Sequence, residues 1–338
     1  MNFSLERRKL YLATAVKNSG DVILLGVSAV FGLSKLLLFR YIFDAPEFGS
    51  YALAIVYSQL LMYFLSPGAD CGLIRQATKL YVEKKDEFEL QFSRLFSILF
   101  IVSTLSSLVL IFLVIALGLA DDFVYFFVIL IAYGQILING ISVRFRVLGH
   151  FKAMGAIHIF RIAIMSLPLY LACLKFPIDA SSVLIFESLL GLIFCLATAR
   201  TLRLITFSLT LKDCQEFYKL SRVGLSLSVG AIIKAATFSA ERSLAKILLT
   251  PIDFGIYSTF MIAFQVIFMG GSIVGQPIQR KVLLMAEQGN FNLAKKALFR
   301  FHLIILTALS FVVFVAFMSG LNINESNIAT VLLIVASA

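Results

Sequence analysis

Very little in this sequence could carry out covalent or metal chemistry. The four cysteines, Cys71, Cys173, Cys195 and Cys214, are scattered and form no C-x-x-C pair. Neither a zinc cluster nor a disulfide framework is expected, and they read as small residues for burial. The three histidines, His150, His158 and His302, share no ligand spacing. No glycine-rich phosphate loop and no Ser/His/Asp set stands in the segments between apolar stretches. No cleavable signal is visible, because the opening MNFSLERRKLYLATAVKNSG puts charge where an apolar stretch belongs. Charge is scarce as well: 14% of residues are Asp, Glu, Lys or Arg, against about 25% in soluble domains. These absences lead us to expect no enzyme, no metal and no organic cofactor.

What is present is apolar. Hydrophobic residues make up 60% of the chain and its mean hydropathy is +0.96, which marks an integral membrane protein. A bilayer core needs about 20 apolar residues per helix. Nine stretches are long enough: 20–43, 48–68, 94–117, 123–143, 153–174, 180–199, 222–249, 254–279 and 299–319. A tenth begins near Ser326, and the sequence ends at Ala338 after only 13 residues. That helix is expected to continue, which makes the chain look incomplete at its carboxyl end. The fold class expected is all-α, a polytopic membrane protein.

The chain carries a formal charge of +10, and its placement matters more than its sum. Take the amino terminus as cytoplasmic. Of the 29 Lys and Arg, 22 then fall in inner segments, from Arg7 to Arg300, and one, Lys175, falls in an outer loop. Such a bias orients the chain with its amino terminus inside. It also accounts for the basic balance without a nucleic-acid partner.

One signature occurs twice. FGSYALAIVYSQ at 48–59 and FGIYSTFMIAFQ at 254–265 share F-G-x-Y, seven residues, then Gln, at an offset of 206. The same offset pairs Lys35 with Glu241, Arg40 with Lys246, Glu47 with Asp253 and Arg75 with Lys281. Six spans separate the copies, so the halves run parallel about an axis along the membrane normal, one arrangement used by secondary transporters. We expect a cytoplasmic segment at 1–19, a first bundle at 20–204, a linker at 205–221 and a second bundle at 222–338, with a cavity between the bundles. Both copies are expected to run into broken helix, at LSPGADCG (Pro67, Gly68, Gly72) and MGGSIVGQP (Gly270, Gly271, Gly275, Pro277). Such breaks serve either a transport hinge or close helix packing.

Several segments resemble bacterial polysaccharide exporters, the O-antigen and capsule flippases of the multidrug/oligosaccharidyl-lipid/polysaccharide flippase superfamily. FRYIFDAPEFGSYALA…LSPGADCGLIRQATKLY looks like their first two helices, RFRVLGHFKAMGAIHIFRIAI like their fourth inner loop and fifth helix. FSAERSLAKILLTPIDFGIYSTFMIAFQ is similar to their seventh and eighth helices. The family has Asp-Arg and Leu-Gly where this chain has Glu241-Arg242 and Ala245-Lys246, a departure that bears on Lys246. The resemblance implies 12 to 14 helices and a transporter in the bacterial inner membrane. The ligand it implies is an undecaprenyl-pyrophosphate-linked oligosaccharide, turned over by alternating access among membrane lipids, with a proton or sodium ion as possible coupling partner.

The residues themselves point to an anion. Six bases lie inside spans, Lys35, Arg40, Arg161, Lys234, Arg242 and Lys246, against the acids Asp21, Glu187 and Glu241. Each base costs about 2.5–3.5 kcal/mol at the bilayer centre even on insertion scales, so most should face protein or water. A cationic lumen suits a pyrophosphate, which Lys and Arg hold by charge-assisted hydrogen bonds. Lys35, Arg161, Lys234 and Arg242 are expected at the lumen. Arg40 and Lys246 lie near helix ends and can either join the site or snorkel to head groups. Glu241 can belong to the site or neutralise Arg242 or Lys234. The alternative function is a cation-coupled drug extruder of the same superfamily, which would need more intramembrane carboxylates. Orientation reporters fused after His150 should read cytoplasmic and those fused after Lys175 external; the reverse pattern would overturn the charge-based orientation.

Overall fold

The computed structural model describes residues 23–299 except 29, 33, 67, 119–123, 174, 177 and 207–209, and except the side chains of 70, 220, 227, 260 and 262–274. The expected amino-terminal segment 1–19, with Asp21, and the expected ninth and tenth spans beyond Phe299 lie outside the described residues.

The described chain is helical and carries no strand. In order come α1 (Ile23–Ile42), α2 (Ala45–Leu65), α3 (Ala69–Glu83), a short 3₁₀ turn (Lys85–Glu87) and α4 (Phe88–Ala116). There follow α5 (Val124–Leu148), α6 (Phe151–Cys173), α7 (Ala180–Thr201), α8 (Leu211–Leu248) and α9 (Pro251–Glu287). Six of these are long and apolar enough to cross a membrane, and seven if the bent α8 counts as one span. The protein is an all-α, polytopic membrane protein. Backbone hydrogen bonds closed within each segment are what a bilayer demands.

Helix ends explain where spans begin. Asp44 caps α2, its Oδ1 accepting from the Glu47 N–H at 2.9 Å. Thr250 caps α9 in the same way, its Oγ1 accepting from the Asp253 N–H at 3.2 Å. The 206-residue offset carries Asp44 onto Thr250, Glu47 onto Asp253 and the end of α1 at Ile42 onto the end of α8 at Leu248. The sequence repeat is thus also a repeat of helix boundaries. The linker expected at 205–221 is shorter than its bounds, because a Thr210–Asp213 capping box starts α8 at Leu211.

The two halves meet where the repeated motif stands. α2 packs against α9 and α8, and α3 against α8 and α9. At Gly49 an added Cβ would lie 2.7 Å from the Phe254 ring and 3.4 Å from Gly255 Cα. At Gly255 it would collide with the Ala45 backbone. Without a hydrophobic drive between helices in lipid, van der Waals contact at small residues is what holds such a crossing. A second backbone contact joins Gly68, at the start of α3, to Gly224 and Leu225 of α8. At that end Arg280 Nε donates to the Val147 carbonyl at 2.9 Å and Arg146 Nη1 to Gln279 Oε1 at 3.1 Å.

Of the two expected breaks only the first occurs. Between α2 and α3 the chain turns at Ser66–Gly68, with Gly68 left-handed at φ 70°. α9 runs unbroken through Gly270, Gly271, Gly275 and Pro277. The offset places Val274 where the first copy has Gly68. A β-branched residue strongly disfavours the left-handed region, so the second copy stays helical there. The second half bends elsewhere: Leu211–Ser226 and Ser228–Leu248 of α8 meet at 58°, beside the Gly68–Gly224 contact.

Gly255→Ala should lower the thermal midpoint of the detergent-solubilised protein by the equivalent of about 1–3 kcal/mol, the usual cost of overpacking. Gly230→Ala, where an added Cβ meets nothing within 4 Å, should leave it unchanged or raise it. Equal midpoints for the two variants would remove Gly255 from the crossing.

Candidate functional site

Between the Gly49–Gly255 and Gly68–Gly224 contacts, α2 lines a cavity of about 660 Å³ with α1, α5, α6, α8 and α9. This volume falls in the range of about 300–1,000 Å³ usual for ligand pockets. The wall is largely apolar, with Leu36, Ile55, Met62, Ile162, Met165, Phe238 and Met261. Four cations break it: Lys35 from α1, Arg161 from α6, and Lys234 and Arg242 from α8. Among the charged side chains lining the cavity all are basic.

Each cation is held differently. Lys35 Nζ lies 2.6 Å from Glu187 Oε1 of α7 and 5.9 Å from the ring centres of Phe39 and Tyr51. Lys234 Nζ stands 5.9 Å from the Phe238 ring, one turn on along α8. Arg242 is buried at 3% exposure; its Nη1 donates to the Ala52 carbonyl of α2 at 3.4 Å, while its Nε has no hydrogen-bond partner among the described residues. Arg161 Nε is likewise buried without a partner, and Arg161 forms no ion pair among the described residues. A buried donor without an acceptor costs about 1–3 kcal/mol, more when charged. The arrangement therefore offers unmet donors to an acceptor-rich, negatively charged group.

The tyrosines of the two F-G-x-Y copies do matching work. Tyr51, fully buried, donates to Glu187 Oε2 at 3.0 Å. Tyr257 donates to Glu241 Oε1 at 2.6 Å. In each half the motif tyrosine therefore fixes an intramembrane carboxylate. In the second half that carboxylate sits on the repeat position of Lys35; in the first it comes from α7 instead.

The seven residues expected at the site separate into two groups. Lys35, Arg161, Lys234 and Arg242 come together on one cavity; Arg40, Glu241 and Lys246 do not line it. Arg40 reaches across to α9, its Nε donating to Thr259 Oγ1 at 2.8 Å, with its guanidinium over the Phe48 ring. Glu241 turns to Tyr257, and Lys246 is exposed near the end of α8. Arg40 with Thr259 and Arg242 with Ala52 form a reciprocal pair of links, each running from the first span of one half to the second span of the other.

Sequence reasoning missed the uncharged polar wall: Gln59, Gln135, Asn139 and His158. Gln59 could have been found, since it closes the repeated signature. His158 Nε2 lies 3.0 Å from Ser142 Oγ, a partner sixteen residues away on α5 that no spacing announces. Among the described residues no group of His, Cys, Asp or Glu is arranged to hold a metal ion.

Comparison with protein-family models and with curated proteins returned no match.

Tyr51→Phe should destabilise the protein by about 1–3 kcal/mol, since it takes one of two partners from a buried carboxylate. Tyr41→Phe, at a side chain that is 86% exposed, is the control and should have no effect. Thermal unfolding in the same detergent compares them, and equal midpoints would show that the Tyr51–Glu187 bond contributes nothing.

Proposed function

We propose that this protein moves a lipid-linked anionic glycan across the bacterial inner membrane, specifically an undecaprenyl-pyrophosphate-linked oligosaccharide of the O-antigen or related polysaccharide type. The observation that carries this reading is the convergence of Lys35, Arg161, Lys234 and Arg242 on one intramembrane cavity whose wall, among the described residues, carries no acid. The two orphaned guanidinium donors ask for an acceptor that the described protein does not supply. A pyrophosphate supplies several, and amide and imidazole groups at Gln59, Gln135, Asn139 and His158 offer hydrogen bonds to sugar hydroxyls. The polyprenyl tail stays in lipid, so only the head group needs shelter from the bilayer core. The motif resemblance to polysaccharide exporters and the parallel repeat support the same reading, with movement by alternating access between the halves. In this scheme the protein performs no covalent chemistry, its amino terminus is cytoplasmic and a proton or sodium ion can couple the cycle. A drug-cation extruder fits less well, because the bases on the wall would repel its ligand.

Arg161→Ala and Lys234→Ala, made singly, should each reduce surface polysaccharide in cells that depend on the protein. Each removes a charge-assisted hydrogen bond, equivalent to about tenfold or more in ligand affinity. Normal polysaccharide in both variants at equal protein level would overturn the proposal, and altered drug sensitivity in its place would favour the extruder.

A further inference from the structure

Glu187 is a buried carboxylate paired with a cation of the cavity wall, and the transport reading leaves its role unused. It is 1% exposed and does not line the wall, yet its Oε1 lies 2.6 Å from the Nζ of Lys35, which does. The contact is an ion pair without an aligned hydrogen bond at Oε1, whereas Oε2 is fixed by the buried hydroxyl of Tyr51. So the carboxylate is anchored from behind, and the ammonium is the part that can turn. Lysine is a compact charge on a flexible four-carbon stem, suited to exchanging one anionic partner for another. Its charge is cancelled from the protein side while its remaining surface faces the cavity that holds Arg161 and Lys234.

Resting on the transport reading above, we propose that Glu187 is a built-in counter-anion. It competes with the phosphate of an entering ligand for Lys35 and so keeps the cavity from holding that ligand too tightly. A transporter has to release what it binds. Arg161 has an orphaned donor and no ion pair among the described residues, so it binds; Lys35 is shared, so it lets go. The ligand class is a diphosphate ester, and Tyr51 positions the competitor.

The sign of the effect separates this role from that of a plain structural pair between α1 and α7. Removing the Glu187 charge should strengthen anion binding; loss of a structural strut should weaken it or leave it unchanged. Two unit charges about 6 Å apart interact strongly enough at intermediate dielectric to change an affinity by on the order of tenfold or more.

The test uses the full chain in lipid nanodiscs, with two probes: inorganic pyrophosphate, and a polyprenyl pyrophosphate incorporated in the disc. Glu187→Gln should bind one or both about tenfold more tightly than the parent, and in cells should slow export at saturating ligand while lowering the apparent KM. Tightening for the lipid probe alone assigns the site to a lipid head group; tightening for both assigns it to the diphosphate as such. Should Glu187→Gln fail to fold, Lys35→Gln is compared with Lys35→Gln/Glu187→Gln. Here the uncovered carboxylate of the single variant should make it the weaker binder, by about tenfold. Equal affinities in that comparison, or a folded Glu187→Gln that binds no better than the parent, would overturn the proposal while leaving transport intact. A parent protein that binds neither probe, with Arg161→Ala no different, would sink the transport reading and the counter-anion together.

Discussion

A charge inside a bilayer has to be answered from within the protein, because the lipid has neither water nor counter-ions to offer. Much of the packing around the cavity follows from that demand. Glu187 is tolerable at 1% exposure because Lys35 and Tyr51 both reach it. Arg242 borrows a carbonyl from the interior of α2, and Arg40 a hydroxyl from α9. Each of these answers crosses from one helix to another, so neutralising charge and holding helices together are one operation here. In water the same pairs would contribute little, about 0–1 kcal/mol when exposed.

The other condition is that helices come close enough for such short polar reaches. Gly49 and Gly255 bring α2 and α9 into backbone contact, and Gly68, at the start of α3, meets Gly224 of α8. The cavity between these contacts is lined by long side chains: Gln59, Met62, Lys234, Phe238. Small residues at the crossings and large ones between them make a cavity whose ends are pinned.

Much of this could be read in the sequence, and the reason differs by feature. Spans were legible because about 20 apolar residues in a row have few other uses. The repeat of helix boundaries was legible because its two copies kept F-G-x-Y. What that motif does was not, since the Gly49–Gly255 contact and the two tyrosine–carboxylate bonds join helices whose relative angle no periodicity states. The cations on the wall were found by cost alone: Lys35, Arg161 and Lys234 lie too deep to reach head groups. That same argument left Arg40 and Lys246 open between lumen and head groups, because both lie near helix ends, and only packing shows Arg40 turned to Thr259 and Lys246 to the surface. The break expected in α9 failed on a single position, Val274 against Gly68, where glycine count suggested symmetry and backbone conformation denied it. Glu187 was visible as an intramembrane acid, but its partner Lys35 stands on the other side of 150 residues.

That asymmetry between the halves gives the molecule unequal arms. The second span of the first half stops at Leu65, whereas α9 continues as one rod of 37 residues to Glu287. At about 1.5 Å per residue the rod measures about 55 Å, well beyond the roughly 30 Å of a hydrocarbon core. Its close contact with the other half lies near one tip, at Gly255, and its far portion carries the Gln279 and Arg280 contacts to α5. With Gly255 as the pivot, a tilt of about 10° displaces Glu287 by about 8 Å. The Arg280–Val147 bond, at 2.9 Å, could not survive such a stroke, so the far portion of α9 stays docked on α5 only while the Gly49–Gly255 crossing keeps its angle.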